Sequence, residues 1–161
     1  MKLFLTLFAA CIISTMTMDI GAGMLRAAKV TAGVPAGLTG KWIESSLKGT
    51  IFVNDIRTCA GEPAPLKSFL LYHYLIGILL TLFLYSIIAL LKINPVPWWV
   101  PMCFGFATTF LPLLLMYPAM GFGFFGLNGP AEYLLIRTAV LNHLAFGFGL
   151  ILSFRLVPKI N

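Results

Sequence analysis

Four stretches of this chain run for twenty or more residues with almost no charge, and they restrict its fold more than any motif does. Leu3 to Leu25 holds one acid, Asp19, and Ser68 to Leu91 holds no charge and one histidine. Trp98 to Gly123 has no charge at all, and Thr138 to Val157 has only His143 and a terminal Arg155. Each covers the roughly 18–20 apolar residues needed to cross a hydrocarbon layer about 30 Å thick. No water in that layer satisfies backbone N–H and C=O groups, so such runs span only as helices. The expected fold is therefore all-α, a four-transmembrane-helix bundle with helices near residues 3–26, 68–91, 98–120 and 131–157 in a single integral membrane domain, 1–161. Composition agrees: 60% of residues are hydrophobic and 10% charged, against about 25% charged in a soluble domain. A chain of this length cannot bury so much apolar surface in a core, and the excess faces lipid.

The first run has the outline of a signal peptide. Lys2 precedes LFLTLFAA, and Ala9-Ala10-Cys11 has the look of a lipoprotein cleavage site. Against cleavage, the apolar run continues well past Cys11, and Phe8 stands where such sites usually carry leucine. The expectation is a retained first span.

An even number of spans puts both termini on one side, with Lys2, Lys92, Arg155 and Lys159. The other side has Arg26, Lys29, Lys41, Lys48, Arg57, Lys67 and Arg137. Basic residues near span ends favour the cytoplasm, and seven against four places the termini outside and the loop 27–67 inside. The net charge of +6 is mostly this flanking effect. No basic-aromatic interleaving of the nucleic-acid-binding kind accompanies it, so the expected partner is the lipid bilayer and no nucleic acid.

Within loop 27–67, Leu38, Trp42, Ile43 and Leu47 share one helical face, with Lys41, Glu44, Ser45 and Lys48 on the other. That spacing predicts a short amphipathic helix over about 38–48. It either lies in the headgroup layer with Trp42 as anchor or packs on the bundle. Glu62-Pro63-Ala64-Pro65 stiffens the approach to the second span. The turn 94–101 carries Trp98 and Trp99, which read as interface anchors.

An ionisable group inside the membrane is costly and is a functional-site candidate by default. Asp19, His73 and His143 qualify. Each stands about six residues from a span end on the same side, roughly 9 Å deep at about 1.5 Å per residue. They are the expected polar site, with Glu62, Asn142 and Arg137 as possible support. Each histidine has a glycine one turn later, Gly77 and Gly147, where a neighbouring helix can approach closely. Glycines also end the preceding spans, including Gly121 and Gly123. The two sets suggest a parallel repeat of helix pairs. The bland alternative is that the histidines are neutral hydrogen-bonding residues between helices, and that Pro112 and Pro118 mark a tolerated kink rather than a gating hinge.

Other chemistry finds no pattern. Gly33 to Lys41 has Pro35 and Trp42 where a phosphate loop needs glycine and a hydroxyl residue. Cys11, Cys59 and Cys103 lack metal-ligand spacing. No Gly-x-Ser-x-Gly elbow or paired-carboxylate site is present, so an enzyme is the less favoured class.

Met18-Asp19, Gly40-Lys41-Trp42, His73-Tyr74-Leu75-Ile76-Gly77, Pro112, Pro118, Gly121-Phe122-Gly123 and His143-Leu144-Ala145-Phe146-Gly147 together resemble a bacterial inner-membrane family, domain of unknown function 2938. The likeness covers nearly the whole chain, with Lys41 where arginine would be expected. It implies a four-span protein of the bacterial inner membrane and supplies no activity.

Two functional classes follow. The first is a small transporter or channel-like protein, homo-oligomeric because four helices enclose little space, with an Asp/His polar site. The alternative is a structural or accessory membrane protein, or one binding haem or a metal through His73 and His143. No cofactor or metal is otherwise expected.

Overall fold

The computed structural model describes residues 2–156, and of residues 2–5 only the backbone. Among the described residues there is no strand. The helices are α1 (Lys2–Ala27), α2 (Ala36–Leu47), α3 (Leu66–Leu90), α4 (Trp99–Thr108), a π-helical turn (Pro112–Met116), α5 (Tyr117–Ala119) and α6 (Leu135–Leu156). Four stretches are long and apolar enough to cross a membrane: Thr6–Ala27, Leu66–Leu90, Trp99–Ala119 and Ala131–Leu156. Their flanks carry exposed leucines and phenylalanines throughout, as lipid-facing helices do.

The third span is not one regular helix. Pro112 and Pro118 each withdraw a backbone donor, and between them the ladder widens so that the Tyr117 N–H reaches the Pro112 carbonyl, five residues back. The fourth helix starts at Leu135, four residues later than the sequence suggests. Ala131–Tyr133 is a single 3-10 turn, and Leu134 has φ +47°, a left-handed conformation that no helix can pass through. The expected end at Val157 lies outside the described residues.

The chain divides into two compact units. Among the described residues, the first comprises 2–24, 74–108 and 141–156. Here α1 runs antiparallel to α3 and to α6, and α4 antiparallel to α6. The Ser14 and Thr81 hydroxyls lie 2.8 Å apart, one donating to the other, and Ser153 Oγ donates to the Ala10 carbonyl at 2.6 Å. A Cβ on Gly77 would collide with Thr15 Oγ1, and one on Gly105 with the Gly147 backbone. Small residues let these backbones approach within van der Waals distance, which is how helices associate where lipid competes equally well for apolar side chains. A modest apolar cluster of Leu84, Ile88, Phe146 and Leu150 completes the unit. Gly77 therefore meets the helix before it in one pair, α1·α3, and Gly147 meets the helix before it in the other, α4·α6.

The second unit, residues 25–73 and 109–140, is built around larger side chains. Ile56, Leu113, Tyr117, Met120, Phe122, Leu135 and Ala139 form its core, with Leu38 and Trp42 of α2 packed against it. The segment around Asn54 enters through backbone bonds from Val53 N to Ala119 O and Ile56 N to Met120 O. Gly121, expected at a helix contact, instead turns the chain at φ +85°, and a Cβ there would collide with the Asn54 carbonyl. Gly123 likewise sits in a turn, at φ +70°.

Helix α2 begins two residues earlier than the spacing predicts, and one of its faces differs from expectation. Lys41, assigned above to the polar face, is buried, and its ammonium donates to the carbonyls of Cys59 (2.6 Å) and Gly61 (2.7 Å). The loop folds over it, so the charge closes a backbone turn instead of meeting water. Trp42 is half-buried in the unit's core and its indole N–H donates to Ile51 O at 2.9 Å.

Candidate intramembrane polar site

In the first unit, four side chains form two polar pairs in a single layer. Asp19 on α1 accepts a hydrogen bond from the Tyr74 hydroxyl on α3. His143 Nδ1 on α6 lies 2.8 Å from Thr108 Oγ1 at the end of α4. Asp19, Tyr74 and His143 each stand eight residues from the end of their own helix, at Ala27, Leu66 and Leu135. That is about 12 Å along the axis, somewhat deeper than the sequence implies, because α3 and α6 start before Ser68 and Thr138.

The register of α1 against α6 fixes how near the two pairs come. Ala10 meets Ser153, Ser14 meets Gly149 and Gly21 meets Ala145. Asp19 and His143 therefore lie within about one helical turn of each other along this antiparallel pair. One turn deeper, each polar pair is followed by its glycine contact, Thr15 on Gly77 and Gly105 on Gly147. The two helix pairs thus present the same order: a polar pair, then a close glycine approach.

Thr108 also constrains the histidine. Its hydroxyl contacts Gly105 O at 2.6 Å and His143 Nδ1 at 2.8 Å. A hydroxyl has one hydrogen, so both contacts are hydrogen bonds only when it donates to Gly105 and Nδ1–H donates to it. Nδ1 then carries the proton of that bond.

His73 belongs to the second unit and its ring stacks on Phe69, 5.2 Å between centroids and 14° from parallel. Glu62 and Arg137 are exposed, as are Trp98 and Trp99. Asn142 Oδ1 is buried in the first unit without a hydrogen-bond partner. Among the described residues, no three His, Cys, Asp or Glu side chains group as a metal would require. The sequence reading passed over Tyr74 and Thr108. The available signal was register: each sits on a neighbouring helix at the depth of Asp19 or His143.

Four membrane-length apolar helices with a polar layer inside define a multi-pass helical membrane protein. The chain belongs to the family described as Protein of unknown function (DUF2938), whose model matches residues 8–157. No curated protein and no solved structure matches it.

Proposed function

We propose that this is a small transport or channel-like protein of the bacterial inner membrane, homo-oligomeric, with its termini outside and loop 27–67 in the cytoplasm. Asp19, Tyr74, Thr108 and His143 form its proton-responsive site. The observation that carries this reading is the Asp19–Tyr74 hydrogen bond between two membrane-spanning helices. A carboxylate at that depth costs a few kcal/mol. A hydroxyl donor offsets part of this without the fixed positive charge of a lysine or arginine. His143, held through Nδ1, adds an imidazole within about one turn along the helix axis. His73, stacked on Phe69, is assigned no proton step.

The test is proton flux into proteoliposomes holding the full chain and an internal pH dye, driven by an imposed gradient. Asp19→Asn should abolish flux, Asp19→Glu should retain part of it, and Tyr74→Phe should move its pH dependence, all with normal insertion. No flux from the wild type, or an Asp19→Asn rate reduced only in proportion to folded protein, sinks the proposal.

A second reading rests on the His143 tautomer. An imidazole oriented through Nδ1–H is the usual arrangement of a metal-binding histidine, and that orientation supports His143 as an axial haem ligand. A Soret band lost in His143→Ala would favour it, and a colourless protein purified from haem-replete cells would end it.

A further inference from the structure

We propose that the open cavity at the C-terminal end of α1 is a lipid-headgroup site, taking the phosphate of a phospholipid and selecting an ethanolamine headgroup through a carboxylate. The cavity, about 500 Å³, lies within the second unit and is lined by Arg26, Lys29, Thr31, Gly33, Glu132 and Leu134. The membrane-spanning part of α1 ends at Ala27, so Arg26 and Lys29 stand at headgroup depth. Both are exposed, and among the described residues neither side chain has a hydrogen bond or ion pair. Thr31 is 4% exposed and lines the same cavity.

The backbone is already committed. The N–H groups of Lys29, Val30 and Thr31 donate into the last turn of α1, Ala32 donates to Thr138 Oγ1 and Gly33 to the Tyr133 carbonyl. The end of α1 also carries about half a negative charge, which repels an anion. Binding therefore falls to side chains: a planar guanidinium fork, an ammonium and a hydroxyl, the donor set that phosphate oxygens accept. Local geometry places them. Lys29 has φ +56°, which turns the chain out of the helix, and Gly33 has φ +76° with the Arg26 Nη2 3.5 Å from where a Cβ would stand. A side chain at Gly33 would crowd the guanidinium. Glu132 adds a carboxylate to a cavity otherwise suited to anions, the complement of a headgroup joining a phosphate to an ammonium. Basic pockets at this level of a membrane protein recognise headgroups, and the depth of Arg26 favours lipid over free phosphate.

The experiment is native mass spectrometry of the full chain released from micelles holding equal phosphatidylethanolamine and phosphatidylglycerol, with a parallel titration of inorganic phosphate. The wild type should retain phosphatidylethanolamine preferentially. Arg26→Gln/Lys29→Gln should lower lipid retention roughly tenfold or more, as expected from losing two cations at a headgroup. Glu132→Gln should keep lipid bound but erase the preference. Thr31→Val should weaken retention without altering the preference. Lys48→Gln, exposed in the same unit, should change nothing. Unchanged retention in the double variant, an equal loss in Lys48→Gln, or displacement of lipid by millimolar inorganic phosphate would each overturn the assignment, the last giving the site to a soluble ligand. Each variant is compared by thermal unfolding in detergent, and a double variant that unfolds leaves Thr31→Val and Glu132→Gln to decide.

Discussion

The two compact units solve the same problem with different chemistry. In the first, helices meet through Gly77, Gly105, Gly147 and Gly149 and through hydroxyl contacts such as Ser14 to Thr81. In the second, the core is Ile56, Met120, Phe122 and Leu135, and even a lysine is buried because two carbonyls receive it. Lipid tails are as apolar as leucine, so helices surrounded by them gain little by burying large side chains against one another, and close approach with hydrogen bonding takes over. The unit that carries the long loop has water to exclude, and burial of apolar area there is favourable in the ordinary way.

The sharpest way to break this comparison is to truncate the largest fully buried side chain of the second unit. Phe122→Ala should cost about 3–5 kcal/mol, read as a lowered unfolding temperature in detergent, and it also removes the ring 5.8 Å beneath the Arg57 guanidinium. If Leu150→Ala in the first unit costs more, the distinction between the units fails. Next in size is Gly105→Ala. Its methyl collides with the Gly147 backbone, and overpacking of this kind costs about 1–3 kcal/mol. Gly23→Ala, with nothing within 4 Å, is the control and should be neutral or slightly stabilising. Smaller still, Ser14→Ala should cost about 0.6 kcal/mol, the typical worth of a hydrogen bond between membrane helices. A loss above that of Gly105→Ala would mean that hydroxyls rather than close approach hold the first unit.

The smallest effect concerns pH and belongs to the loop of the second unit. Hydrogen bonds from the Arg57 side chain, at 2.6–3.0 Å, hold the Asp55 carboxyl below its usual range. A lowered folded value means that this contribution is complete above the unfolded value, about 3.9, and fades as pH falls below it. Arg57 is exposed and Asp55 partly so, so the change is slight and salt-sensitive. Asp55→Asn should flatten the acid limb of the stability curve a little. An acid limb identical in the two proteins would assign the bond no role.

How much could be read beforehand depended on whether the deciding contacts were local. The spans were legible because a run without charge long enough to cross lipid has few alternatives. Helix α2 was legible from the spacing of Leu38, Trp42 and Leu47, since periodicity is a property of neighbours in sequence. Lys41 was not: its partners are carbonyls at residues 59 and 61, and a lysine between apolar residues reads as solvated until a loop is seen to cover it. Asp19 and His143 stood out because ionisable groups are rare in apolar runs, whereas Tyr74 and Thr108 were hidden among residues that commonly sit at helix contacts without a polar role.

Sequence alone determined that the protein is helical, that it has four membrane-length spans and that an acid and two histidines lie inside them, because the bilayer sets a length and a charge limit that act residue by residue. Only tertiary structure decided which partner each of those groups received. The pairing of Asp19 with Tyr74, of His143 with Thr108 and of Lys41 with two carbonyls depends on helix register and on where a loop closes. Register is set by glycine contacts such as Gly105 on Gly147, which join residues 42 positions apart, and no local pattern in a chain encodes a distance of that kind.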